Sequence, residues 1–416
     1  MREWLERTLK ELNLTETMNP AEGFTRLSYT DEEWAALACF KEKAEELGLS
    51  VRQDEAGNVI ARWEPERDEE RRLPAVATGS HLDTVANGGG YDGAAGVLCA
   101  LGAVKKLRDS GFSPRRPIEV ICFASEESAR FGVSTIGSKA MSGLLDALSL
   151  KDVTDRDGVT VKEAVESRGL NWDGIGSAER ARDEIASFLE LHIEQGMRVE
   201  EAGAHFGAVT AIACPIRLHV NISGKAGHTG TTPMNRRQDA FAAAAPLVTF
   251  VYERAGELSE QNELPIVATC STVDVTPNVM NVIPGKADIG VDIRSVDDSI
   301  KEQLEGEIRN KCAEIEQSYD VGIAVEKLVH NPSVFLDADV HGKILAAGEE
   351  TGLTPYVLES GAGHDVMNMQ AKWPSGMIFI PCRDGLSHHP DEHADPDDLL
   401  KGVKLISAYL VKETGE

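Results

Sequence analysis

The run GSHLDTVANGGGYDGAAG, residues 79–96, places His81, Asp83 and Asp92 in and beside a glycine-rich turn. It contains a G-x-G-x-x-G at Gly88, Gly90 and Gly93, the spacing of a dinucleotide-phosphate loop. Asp92 inside that loop and Asp83 just upstream would repel a phosphate, which is held by bare backbone amides. A cation suits these residues better. The glycines let the backbone bend so that His81 and Asp92 converge. Residues i and i+2 share a face of an extended segment, so Asp83 can hold the far imidazole N–H of a metal-bound His81. Three more segments carry matching chemistry. ASEESARFG supplies Glu126 and Glu127; at a strand exit one can ligate a metal while its neighbour abuts a water. LHIEQG supplies His192, and DGLSHHPDEHADP supplies His388. The seven cysteines are scattered, odd in number and without a C-x-x-C pair, so a bound metal falls to histidine and carboxylate.

These residues need strand ends to hold them. AVATGSH, the small-residue helix GAAGVLCALGAVKKL and PIEVICFAS alternate as strand, helix and strand, which predicts a parallel α/β sheet with ligand-type residues at its carboxyl ends. Amphipathic helices are expected at about 1–13 and 31–47, the second capped by Thr30. From 214 to 328 the order changes to strand, helix (236–255), two strands, helix (298–317) and strand, the split β-α-β-β-α-β unit of a ferredoxin-like domain. The expected organisation is therefore an α/β catalytic domain from 1–213 and 329–416, interrupted by an α+β insertion at 214–328.

The composition narrows the function classes. At 416 residues the chain is long enough for two domains. Lys plus Arg total 42 against 69 for Asp plus Glu, a formal charge of −27, which leaves counterion-release binding of nucleic acid little to work with. No apolar run reaches membrane-helix length. The charged start MREWLERTLKELN lacks the apolar core and cleavage site of a secretory signal, so a cytoplasmic address is expected.

In this order, His81-x-Asp83, Asp92 in its glycine-rich turn, Glu126–Glu127, HIEQG and a late S-H-x-P-x-E resemble the two-metal amidohydrolases of the aminoacylase/carboxypeptidase superfamily. More narrowly they resemble its hydantoinase/carbamoylase branch, across nearly the whole chain. The resemblance implies a mixed-sheet di-metal catalytic domain with an inserted ferredoxin-like lid and dimerisation domain. It implies that Asp92 bridges two divalent ions, with His81 and His192 completing one set of ligands and Glu127 and His388 the other. Zinc or manganese suits such donors, with cobalt or nickel also possible. Glu126 becomes the general base that takes a proton from water and passes it to the leaving nitrogen. His388 is preferred to His389 because it directly follows Ser387.

In the insertion, GKAGHTGTTPM supplies His228, which the resemblance makes a carbonyl-polarising residue acting in the partner subunit's site. NVMNVIPG supplies Asn281, and VDIRS supplies Arg294 thirteen residues later, both at substrate-binding positions; an arginine fork pairs two carboxylate oxygens. Gln195, Gly361 and Gly363 complete the implied pocket. His205, His219, His330 and His341 lack motif context, and His393 is expected to be solvated among acids.

The implied activity is hydrolysis of the carbamoyl or ureido C–N bond of N-carbamoyl-L-amino acids, allantoate or ureidoglycolate, by a homodimer whose lid closes over the site. An aminoacylase or dipeptidase is the nearest alternative, disfavoured by His192, where related exopeptidases generally carry a carboxylate. A non-catalytic metal-binding relative is argued against by the intact Glu126.

Overall fold

A computed structural model describes residues 1–415. The chain divides into two compact units. The first comprises Met1–Thr210, Leu336–Leu358 and the chain from His364 onward; the second comprises Ala211–Phe335 and Glu359–Gly363. The first boundary lies three residues before the expected 214. Residues 329–335, expected in the returning catalytic segment, fold with the second unit. The reason is local: a short strand, Val334–Phe335, pairs with Ile212 and Ala211, so the entering and leaving chains are stitched together.

In chain order the strands are β1 (Ser50–Gln53), β2 (Val59–Trp63), β3 (Ala75–His81), β4 (Ile118–Phe123), β5 (Ile185–Ile193), β6 (Phe206–Ile212), β7 (Ile216–Ser223), β8 (Gly227–His228), β9 (Val267–Thr276), β10 (Val282–Ile283), β11 (Lys286–Arg294), β12 (Gly322–His330), β13 (Val334–Phe335), β14 (Pro355–Ser360) and β15 (Ser375–Ile380). The main sheet has the order β1-β2-β4-β3-β5-β15-β6-β13, with β14 also on β6. Its middle four strands, β4, β3, β5 and β15, are parallel. β1, β2 and β6 pair antiparallel to their neighbours, so the sheet is mixed rather than purely parallel. The middle strands are buried along almost their whole length, as continuous apolar runs covered on both faces require. The half-exposed β1 marks the edge.

Three helices matter to the site: α1 (Arg2–Leu12), α2 (Asp31–Glu46) and α3 (Ala94–Asp109). The Thr30 side chain caps α2 by accepting the Glu33 amide. Small residues let α3 press against the sheet, and a Cβ on Gly96 would lie 2.1 Å from the Leu191 carbonyl oxygen.

The second unit carries a four-stranded antiparallel sheet in the order β12-β7-β11-β9. Alternate residues of β7 and β11 turn inward, including Leu218, Val220, Ile289 and Val291. The helices Ala240–Gln261 and Asp298–Tyr319 complete the split βαβ pattern. The first of them starts later than the expected 236, because the Asp239 side chain accepts the Phe241 and Ala242 amides and caps it there. Among the described residues no helix is long and apolar enough to cross a membrane.

A candidate two-metal site

Four of the five ligand-type residues sit at or just past parallel strand ends or in the turn into α3. His81 closes β3, level with Phe123 of β4, and Glu126 and Glu127 follow that strand's exit. His192, next to last in β5, lies level with Phe379 of β15. Asp92 precedes α3, whose start requires Gly93: φ is +62°, and a Cβ would stand 2.5 Å from the His81 ring. His388 comes from the loop after β15 at φ +56°, a left-handed conformation uncommon outside glycine.

Asp92 is the centre of the arrangement. Its Oδ1 lies 3.1 Å from His192 Nε2 and 3.5 Å from His81 Nε2. Its Oδ2 lies 3.4 Å from His388 Nε2, which in turn is 3.2 Å from Glu127 Oε1. Two groups that could each hold a cation therefore share one carboxylate: His81, Asp92 and His192, and Asp92, Glu127 and His388. The imidazoles are oriented for metal binding. His81 Nδ1 faces the Asp83 carbonyl at 3.0 Å, and His192 Nδ1 faces the Ile193 carbonyl at 2.9 Å. A carbonyl only accepts, so both Nδ1 atoms carry hydrogen; both Nε2 atoms face Asp92, and that of His192 also accepts the Gly93 amide. His389 turns away and accepts the Asp391 amide.

Asp83 has a broader role than the i, i+2 argument assigns to it. It is the main-chain oxygen that takes the His81 N–H, while the carboxylate, 3.4 Å from Nδ1, accepts the amides of Glu126 (3.0 Å) and Glu127 (2.9 Å) and the Ser28 hydroxyl. Gln195, at φ +58°, donates from Nε2 to Asp92 Oδ2 at 2.7 Å, and its Oε1 is buried without a hydrogen-bond partner. Glu392, the final acid of the S-H-x-P-x-E run, accepts the amides of Tyr91 and Asp92 and the Ser387 hydroxyl. It thus ties the Asp92 turn to the segment bearing His388. Buried Glu190, two residues before His192, accepts the Ser80 hydroxyl and the Val366 amide. Neither Glu392 nor Glu190 was singled out by spacing; the signal for the first was its place in the motif.

The electrostatics follow from crowding acids in a dry place. Burial, reinforced by Glu127, Asp365 and Asp83 against the pull of His81, holds the Glu126 carboxyl well above the carboxylate range. Burial alone would raise Asp92, but His192, His388 and His81 overcome it and hold Asp92 well below the usual range. Burial would lower His81, yet Glu126, Asp83 and Asp92 drive it well above the ordinary imidazole value. Contacts with Asp92 and Glu127 push His388 up to about 10. So dense a set of acids calls for positive charge, and divalent cations between the Nε2 atoms and carboxylates fit it.

Gln195 belongs to the first unit; the other substrate-type residues belong to the second. β8 pairs with β10, setting His228 opposite Val282, and the Thr229 amide donates to the Asn281 carbonyl, so His228 and Asn281 are neighbours. The Gly230 amide donates to His228 Nδ1 at 3.0 Å, which leaves Nε2 as the N–H donor of the neutral ring. Arg294 donates to Asp292 at 2.8 Å and to the Gly361 carbonyl at 3.0 Å; Gly363 ends the same short segment. His219 and His330 pair with Asp288 and Glu302, and His205 accepts the Thr354 amide. His393 is half-buried against the Tyr91 ring, 5.3 Å between centroids, rather than solvated. Buried His364 packs on His192 at 4.6 Å.

Residues 77–412 match the model of Peptidase family M20/M25/M40. The chain belongs to this family. Among its relatives, a ureidoglycolate hydrolase of Oryza sativa subsp. japonica is 36% identical over 98% of this chain and 84% of its own. An N-carbamoyl-L-amino-acid amidohydrolase of Paenarthrobacter aurescens is 36% identical over 97% of this chain and 96% of its own. The crystal structure of an amidase of the hydantoinase/carbamoylase family from Burkholderia multivorans superposes with a TM-score of 0.87 at 29% identity, covering 100% of this chain and 98% of that one. Within the M20 family the chain therefore sides with the hydantoinase/carbamoylase amidases, and it has their mixed α/β fold.

Proposed function

We propose that the chain is a metal-dependent amidohydrolase that cleaves the carbamoyl or ureido C–N bond of an amino-acid-like carboxylate, releasing ammonia and carbon dioxide with the amine. N-Carbamoyl-L-amino acids, allantoate and ureidoglycolate are the substrate candidates. The observation that carries the reading is Asp92, whose two oxygens face two separate ligand groups. Its support is the pair of relatives named for ureido and carbamoyl substrates.

His81 and His192 would hold one divalent ion, Glu127 and His388 the other, and Asp92 both. Bound there, zinc or manganese would supply Lewis-acid stabilisation of the oxyanion and make water more acidic. The chain's own residues do the rest. Glu126 stands 3.8 Å from His81 Nε2 and lies outside both ligand groups, so its lone pair stays free to take a proton from attacking water and return it to the leaving nitrogen. Its raised proton affinity suits the return step. His228 presents an Nε2–H to polarise the carbonyl, Arg294 and Asn281 hold the substrate carboxylate, and the unpartnered Gln195 Oε1 accepts a ureido N–H.

His228 is assigned to the partner subunit's site in a homodimer. Support for a dimer is the bare edge of the second unit: β9 is a terminal strand of its sheet. It and the helix Ala240–Gln261 line a groove of about 880 Å³ and expose Tyr252, Val267 and Val273.

The test is ammonia release by protein reconstituted with zinc or manganese, offered N-carbamoyl-L-amino acids, allantoate, ureidoglycolate and N-acetyl amino acids in parallel. Release from a ureido or carbamoyl compound, abolished by a chelator, is expected. Turnover of N-acetyl compounds alone would replace this reading with an aminoacylase.

A further inference from the structure

The turn that bears Glu126 is held at every polar backbone atom, and one of its holders comes from a distant helix. The carbonyls of Ala124, Ser125 and Glu126 accept the amides of Gly137, Ile136 and Thr135. The amides of Glu126 and Glu127 donate to Asp83. The Ala124 amide donates to Asn58 Oδ1, and that of Ser125 donates to Glu33 Oε1 at 3.1 Å. Glu33 lies in the first turn of α2, is completely buried, and receives the Tyr29 amide on its other oxygen. Ser125 itself sits at φ +56°, a left-handed region that is strained for a residue other than glycine. Its hydroxyl is buried without a hydrogen-bond partner, so the side chain does nothing to hold that conformation.

We propose that Glu33 is a positioning residue of the hydrolytic site: by capturing the Ser125 amide it keeps this residue left-handed and thereby aims the Glu126 carboxyl. The inference rests on the proposed function, in which Glu126 is the base. Three successive amides, 125 to 127, end on two buried carboxylates, and Glu33 is the one that touches none of the ligand-type groups. Glutamate is specifically required, because both of its oxygens face N–H donors. Glutamine would set an NH₂ against one of those donors and leave a buried amide unmet.

The experiment compares wild type with Glu33→Gln, both reconstituted with zinc, on whichever ureido or carbamoyl substrate the wild type turns over. Expected is a fall in kcat of ten-fold or more, with KM and metal content per chain unchanged. The double variant Glu33→Gln/Ser125→Gly should regain part of the loss, because glycine occupies the left-handed region without the anchor. An unchanged kcat in Glu33→Gln, or a loss matched by lost metal or raised KM, would overturn the positioning role. If Glu33→Gln does not fold, Glu33→Asp, which keeps the carboxyl group but withdraws its oxygens, is measured against the same criteria. Failure of the wild type on every ureido and carbamoyl substrate would instead remove the proposed function.

Discussion

At the scale of single residues, the division of labour in Asp92 makes the two ligand groups unequal. His388 serves one group alone and is half-exposed, whereas Asp92 serves both and is buried. Substituting His388 by Ala should remove one ion and spare the other, while Asp92→Asn should remove both. Atomic absorption on protein reconstituted with excess zinc and then desalted is expected to give about two ions per chain for wild type, about one for His388→Ala and near none for Asp92→Asn. Equal losses in the two variants would mean that Asp92 is not shared. Residues of this kind were legible from the chain because five such segments follow one another in one order, whereas an H-x-D or an E-E standing alone is commonplace. Glu33 was not: an acid three residues after Thr30 is a routine helix start, and only the folded chain shows which amide it meets. Glu190 was hidden in the same way, by alternation within a strand.

At the scale of elements, the passage from β3 through the glycine run into α3 brings His81 and Asp92 together, and Gly93 is the point where it packs directly on the His81 ring. Both the positive φ and the 2.5 Å approach of the His81 ring exclude a methyl group. Gly93→Ala should lower stability by roughly 1–3 kcal/mol, and weaken zinc binding by about ten-fold to a hundred-fold as the ring is displaced. Denaturant titration and chelator competition would check the two effects separately. Retained affinity would show that the ring can move without consequence. The parallel middle of the sheet was readable because β3, β4 and β15 are short, mostly apolar runs set off by turns and helices. The antiparallel borders were not, since β1 is four residues with every second one exposed, a pattern shared with ordinary loops. The helix boundary at Asp239 follows the polar run RRQ, whose residues suit a helix start as well as a turn, so only the cap decides where it starts.

At the scale of the whole molecule, the open outer edge of β9 predicts association. Replacing Val267, which is 59% exposed on that strand, by Lys puts a charge where a second copy would have to pair. Sedimentation should then report a monomer with unchanged circular dichroism, and turnover should fall if His228 serves the other subunit. A dimer that survives the charge would send the search for its interface elsewhere. The first unit also has an unusual construction: β15 lies between β5 and β6, although residues 194–205 are all that separate those two strands in the chain. During synthesis β5 and β6 emerge with the slot between them vacant, and the strand that fills it is translated some 170 residues later. The second unit is nearly contiguous and can complete its sheet first. Pulse-labelled hydrogen exchange on refolding protein should therefore protect β7 and β11 amides before those of β5; the reverse order would exclude this sequence of events. A ribosome that stops short of Ser375 releases a chain with a finished insertion and an open catalytic sheet, which marks late truncations for proteolysis rather than for partial activity.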